Sequence, residues 1–207
     1  MMLAPQLLRK QGDSRCWLMR ICSATAIGLL VCSGVYPVQD TANLLPVKNL
    51  YSNYDYAYSV RIPRGLTAFQ SRPPFPNHGF VIKLSDHPEA ELAVSASYNA
   101  AEWSSFDDAV NAHLRYFKDE GGGEVGVISR APAVLGGFKA IRFTMKPKTP
   151  AVSDPQVREV LLALREEPGG VGIVYEVVLT TPSSRYAKDR QLLTELQRSW
   201  RMKPLPR

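Results

Sequence analysis

The chain has 207 residues, 45% hydrophobic and 21% charged, the balance of an ordinary globular protein. Its net charge of +6 owes much to residues 1–34, which hold Arg9, Lys10, Arg15 and Arg20 against Asp13; the remaining 21 basic and 18 acidic residues carry +3 and form no run of Lys or Arg. That scatter argues against nucleic acid as a partner, because such binding needs a basic stripe on one face.

The first 34 residues read as a signal peptide or leader. Arg20 precedes the apolar run from Ile21 to Val31, and the small residues Cys32, Ser33 and Gly34 follow. This is the charge-then-apolar order of a secretory signal, and the run is short of the ~20 residues that span a bilayer. Cleavage after Gly34 predicts a mature chain starting at Val35, in an extracytoplasmic (periplasmic or secreted) location. Two alternatives stay open: an uncleaved membrane anchor, and lipidation at Cys32. Membrane contact is expected only through this leader. Cys16, Cys22 and Cys32 all lie within it, so a chain starting at Val35 has neither a disulfide nor a thiol nucleophile. A domain of about 150 residues buries enough surface to need no such staple.

Residues 35–50 read as a linker, with Pro37 and Pro46 breaking regular structure. A single domain then spans 51–203. Tyr54, Tyr56, Tyr58, Val60 and Ile62 alternate with Asp55, Ala57, Ser59 and Arg61, which predicts one strand with the tyrosines on a common face. Pro63-Arg64-Gly65 turns the chain into a short return strand at Leu66 to Phe69. A proline-rich loop occupies 71–79, and strands follow at Phe80 to Leu84 and Leu92 to Tyr98. Ser105 with Asp108 three residues on is a capping-box spacing. Phe106, Ala109, Val110, His113, Leu114 and Phe117 then recur at helical intervals, until Gly121-Gly122-Gly123 ends the helix. No Lys-Ser/Thr follows these glycines, so they are not a phosphate loop.

Strands resume at Val125 to Arg130 and, after the Gly136-Gly137 turn, at Ile141, Phe143 and Met145. Residues 147–156 form a loop. Val157 to Arg165 fits either strand or helix. The turn Glu167-Pro168-Gly169-Gly170 and the run Val171 to Thr180 favour a long hairpin. A last helix covers Ser184 to Ser199, with Tyr186, Leu193, Leu196 and Trp200 near one face. Hairpins in place of βαβ units imply an α+β fold, an antiparallel β-sheet packed by helices.

Several stretches carry the resemblance to a known family: Tyr58-Ser59-Val60-Arg61-Ile62-Pro63-Arg64-Gly65-Leu66, Trp103-Ser104-Ser105-Phe106, Gly136-Gly137-Phe138-Lys139-Ala140, Tyr175-Glu176-Val177-Val178-Leu179-Thr180 and Leu196-Gln197-Arg198-Ser199-Trp200. In this order they resemble the Mog/PsbP-like fold family, in its exported bacterial branch, over about residues 51–203. The resemblance implies an α/β/α sandwich and an accessory, protein-binding role; it supplies no catalytic residues.

The residues themselves point the same way. His113 sits mid-stripe, as a core histidine or a tuned acid–base group. Asp86, His87, Glu89 and Glu91 crowd one turn at no metal-ligand spacing, and no serine lies in a Gly-x-Ser-x-Gly elbow. No catalytic residue, metal or cofactor is expected. The candidate interaction surface is Arg72, Phe75 and His78 of the proline-stiffened loop, with Tyr54 and Tyr56 beside it: rigid backbone lowers the entropy cost of binding, and Arg and aromatic side chains are common interface anchors. The expected function is that of a non-enzymatic exported envelope accessory domain with a protein partner. Two readings compete: a hydrolase whose site is assembled in space, and a small-molecule or lipid carrier. A pocket in which His113 meets a carboxylate would favour the first, and an enclosed apolar cavity the second.

Overall fold

The computed structural model describes residues 44–203 apart from 73–76, 87–88, 122, 151 and 167–171. In chain order the strands are β1 Leu44–Val47, β2 Leu50–Asn53, β3 Tyr58–Arg61, β4 Ala68–Ser71, β5 Gly79–Ser85 and β6 Ala90–Tyr98. Helix α1 spans Phe106–Gly121. Then come β7 Val125–Leu135, β8 Phe138–Pro147, β9 Gln156–Arg165, β10 Ile173–Pro182, helix α2 Tyr186–Ser199 and the two-residue β11 Arg201–Met202. Eight strands form one antiparallel sheet in the order β1-β4-β5-β6-β10-β9-β8-β7, and three form a small sheet, β11-β3-β2.

Alternation along the central strands sorts the core into two layers. Leu161, Ala163, Tyr175, Val177, Leu179, Leu92 and Val94 face one way, where α2 (Leu193, Leu196), Trp200 and the small sheet (Tyr51, Tyr58, Val60) cover them. Ile141, Phe143, Met145, Val160, Leu162 and Val174 face the other way, under α1 (Ala109, Val110, Phe117). The sheet is thus packed by a helix on each face, as the α+β reading requires. The start of α1 is the expected capping box: Ser105 Oγ accepts the Asp108 N–H at 3.2 Å, and Asp108 Oδ2 accepts the Ser105 N–H at 3.0 Å. Val157 to Arg165, open between strand and helix in the sequence, lies within β9 and is paired on both sides.

Three expectations need correction. The tyrosine run is not one strand: residues 54–57 form the turn between β2 and β3. Asn53 Oδ1 accepts the Tyr56 N–H at 3.0 Å, and Ala57 takes a left-handed φ of 52°. An asparagine bonded to its own downstream backbone is a turn former that overrides the alternation. Second, the segment 35–50 is not linker throughout. β1 lies inside it and pairs with β4, Pro46 opposite Phe69. Pro46 is tolerated because β1 is an edge strand, where a missing N–H need cost no ladder bond. Third, the return strand begins at Ala68, two residues later than expected.

Candidate interaction surface

The turn at 54–57 and the end of the 71–79 loop meet. Tyr56 Oη lies 3.0 Å from His78 Nδ1, which also approaches the Ala96 carbonyl at 3.1 Å. Tyr58 Oη donates to the His78 carbonyl at 3.2 Å. Tyr51 Oη donates to Asn77 Oδ1 at 2.7 Å, Asn53 Nδ2 to the Asn77 carbonyl at 2.6 Å, and Asn77 Nδ2 to Gln70 Oε1 at 3.2 Å. These bonds fix residues 77 and 78 against the small sheet, and they satisfy polar groups that burial would otherwise penalise. The Tyr56 ring is sandwiched between His78 and Tyr98, with centroids 5.6 and 5.5 Å away. Burial pushes its hydroxyl up to about 12, with Tyr98 and Asp55 adding to the shift, so it stays a neutral hydrogen-bonding group at neutral pH.

Of the five predicted surface residues, the structure brings Tyr56 and His78 into direct contact. Tyr56 is buried and serves as support. Tyr54, on the same turn, is 74% exposed, and its ring receives Lys203 Nζ at 4.9 Å from the centroid. His78 and Arg72 are exposed, and Phe75 lies outside the described residues. Tyr98 belongs to this end as well: it is 57% exposed and packs edge-on against Tyr56. The sequence reading missed it. Its position at the end of β6, where the alternation runs out into solvent, was the available signal.

His113 is buried on α1, with Nε2 3.0 Å from Glu176 Oε1 on β10. Trp103 and Phe143 flank its ring, at 6.2 and 5.6 Å. The carboxylate that would favour an enzyme is therefore present, but two shallow, open depressions of the described surface, near Trp200 and near Leu50, are lined by neither residue. Neither is an enclosed apolar cavity such as a lipid carrier requires. A second buried acid, Glu159 on β9, accepts from Tyr186 Oη at 2.6 Å and Arg190 Nε at 3.0 Å. That network ties α2 to the sheet, and burial together with Glu159 raises the Tyr186 hydroxyl above its usual range. Among the described residues no group of three His, Cys, Asp or Glu is placed to hold a metal ion, and no helix is long and apolar enough to cross a membrane. His87 of the acidic turn lies outside the described residues.

No family model and no curated protein sequence matches the chain. Solved structures do match. LpqN of Mycobacterium tuberculosis, involved in cell envelope biogenesis, aligns with a TM-score of 0.50 at 10% identity, over 78% of this chain and 92% of its own. The Ran-binding protein Mog1p of Saccharomyces cerevisiae aligns with a TM-score of 0.50 at 13% identity, over 76% and 96%. Cyanobacterial PsbP from Synechocystis covers 84% and 98% at 16% identity, with a TM-score of 0.48. The chain has the Mog/PsbP-like fold. Its order of hairpins, α1, long antiparallel strands and α2 is that fold's architecture. At these identities the Mog/PsbP-like likeness speaks for the backbone alone, and the site rests on this chain's own geometry.

Proposed function

We propose that the protein is an exported accessory domain of the cell envelope that works by binding another protein, with Tyr54, Tyr98, His78 and Arg72 on the contact surface and Tyr56 beneath them. One contrast carries the reading. The groups fit for acid–base chemistry, His113 with Glu176, are shut inside the core, whereas aromatic rings stand out on a hydrogen-bonded, rigid support. Exposed aromatics on a pre-organised frame gain contact area at low entropic cost. The leader-like residues 1–34 and the envelope role of LpqN support the location.

Two measurements test this. Intact mass of protein from the extracytoplasmic fraction should correspond to a chain starting near Val35; full-length chain confined to the cytosol overturns the location. A Tyr54→Ala, Tyr98→Ala double variant should fold as the wild type does and lose its crosslinked envelope partner. Equal recovery of the same partner by both proteins overturns the surface.

A further inference from the structure

A second surface lies at the far end of β3 from the tyrosine turn. Strand alternation turns Tyr58 and Val60 into the core and Ser59 and Arg61 outward. Register sets Leu50 beside Arg61, and both Ser52 and Arg201 beside Ser59. The outer face of the small sheet thus shows Leu50, Ser52, Arg61 and Arg201, with Ser59 buried between them and no acidic residue among the five. Arg198, at the end of α2, joins them along an open depression of about 570 Å³ that is also lined by Ser199 and Glu195. A second depression of about 600 Å³ shares Arg198 and Arg201 and continues past Trp200, Met202, Gly136 and Val134. The two adjoin at Arg198 and Arg201 as one shallow, open and elongated cleft, basic in the middle, with an exposed apolar residue near each end: Leu50 at 55% and Val134 at 57% exposure.

The arginines of this cleft differ from the ion-paired arginines of the fold; Arg64, Arg72 and Arg115 also have no carboxylate partner among the described residues, but they line neither depression. Arg130, Arg142, Arg158, Arg185 and Arg190 each pair with a carboxylate. Among the described residues, Arg61, Arg198 and Arg201 pair with none, although Glu195 lines the same cleft. Arg201 Nη1 donates to the Arg198 and Trp200 carbonyls, both at 2.8 Å, which holds that guanidinium in place. Ser199 Oγ accepts the Arg61 N–H at 3.1 Å and joins β3 to the helix end. The floor is firm, since Trp200 stacks on Tyr58.

We propose that this cleft binds an acidic, extended segment of a protein, whose carboxylates meet Arg61, Arg198 and Arg201 and whose apolar side chains cover Leu50 and Val134. Guanidinium forks match carboxylates in two-bond geometry, and unpaired like charges held together are relieved by an anionic partner. Elongation favours a peptide over a single anion. The proposal does not depend on Tyr54 and its neighbours.

The test uses the full-length protein and a fluorescein-labelled peptide repeating Glu-Glu-Leu, with fluorescence anisotropy as the readout. Binding should saturate and weaken with salt. It should fall at least about tenfold in an Arg61→Gln, Arg198→Gln variant, a change of the size expected when charge-assisted bonds are lost. That variant leaves Arg201 and its helix-end bonds untouched, and an unchanged thermal melt shows it is folded. Arg115→Gln, exposed on α1, should bind as the wild type does. A Gln-Gln-Leu peptide should not bind, nor should phosphatidylglycerol vesicles bind through these arginines. The proposal is overturned if the acidic peptide fails to bind, if Arg115→Gln weakens it equally, or if the vesicles alone show the dependence on Arg61 and Arg198. The Tyr54→Ala, Tyr98→Ala variant should retain the peptide, which separates this cleft from the aromatic surface.

Discussion

The Trp200 indole lies parallel to the Tyr58 ring, with centroids 4.5 Å apart and 5° between the planes. The pair locks the end of α2 onto the small sheet beside β11, and Tyr175 meets both rings edge-on. Gly136, in the turn between β7 and β8, is pressed against the same indole: a Cβ there would sit 2.7 Å from Trp200 Cδ1 and 2.7 Å from Met202 Cγ. Trp200→Ala should therefore cost about 3–5 kcal/mol in urea unfolding, the range for deleting a buried aromatic. Gly136→Ala should destabilise more than Gly137→Ala. Both positions have positive φ, but a Cβ at Gly137 meets nothing within 4 Å. Equal effects at the two glycines would mean that the turn, not the indole contact, limits stability.

Phe117 is buried between α1 and the sheet, and the Arg158 guanidinium lies 4.5 Å from its ring centroid. Phe117→Ala should cost roughly 3–5 kcal/mol. A loss under about 1 kcal/mol, typical of surface positions, would mean that α1 is docked otherwise.

The capping box gives stability a pH dependence. Hydrogen bonds from Ser105 and Ser104 hold the Asp108 carboxyl below its usual range. A carboxyl depressed in the folded state contributes fully above its unfolded value and loses that contribution as pH falls through the folded one. Asp108→Asn should melt at a lower temperature than the wild type at pH 7, and the gap should close as pH falls below the ordinary carboxylate range and through the depressed folded value. A gap that persists at low pH would assign the effect to something other than the charge.

Most of the fold was legible because alternation and helical spacing agree with burial: Ile141, Phe143 and Met145 point inward as their spacing predicts, as do Ala109, Val110 and Phe117. The tyrosine run misled because Tyr54, Tyr56 and Tyr58 imitate a strand, whereas the Asn53 side chain decides the backbone. β1 was hidden because a proline that is harmless at a sheet edge looks the same in sequence as one in a linker. His113 was legible as a core residue, but Glu176, 63 positions away, was not. The basic cleft was invisible for the same reason: Arg61, Arg198 and Arg201 are brought together only when β11 closes on β3.

The central claim is that this domain acts through a surface, at the aromatic end formed by Tyr54, Tyr98 and His78. The most direct measurement places a photo-crosslinking amino acid at Tyr54 in intact cells, with a second chain carrying it at Arg115 on the outer face of α1. The account predicts one discrete protein adduct at Tyr54, reproduced from Tyr98 and absent from Arg115. Labelling at Arg115 equal to that at Tyr54, or no protein adduct from either tyrosine position, would contradict it.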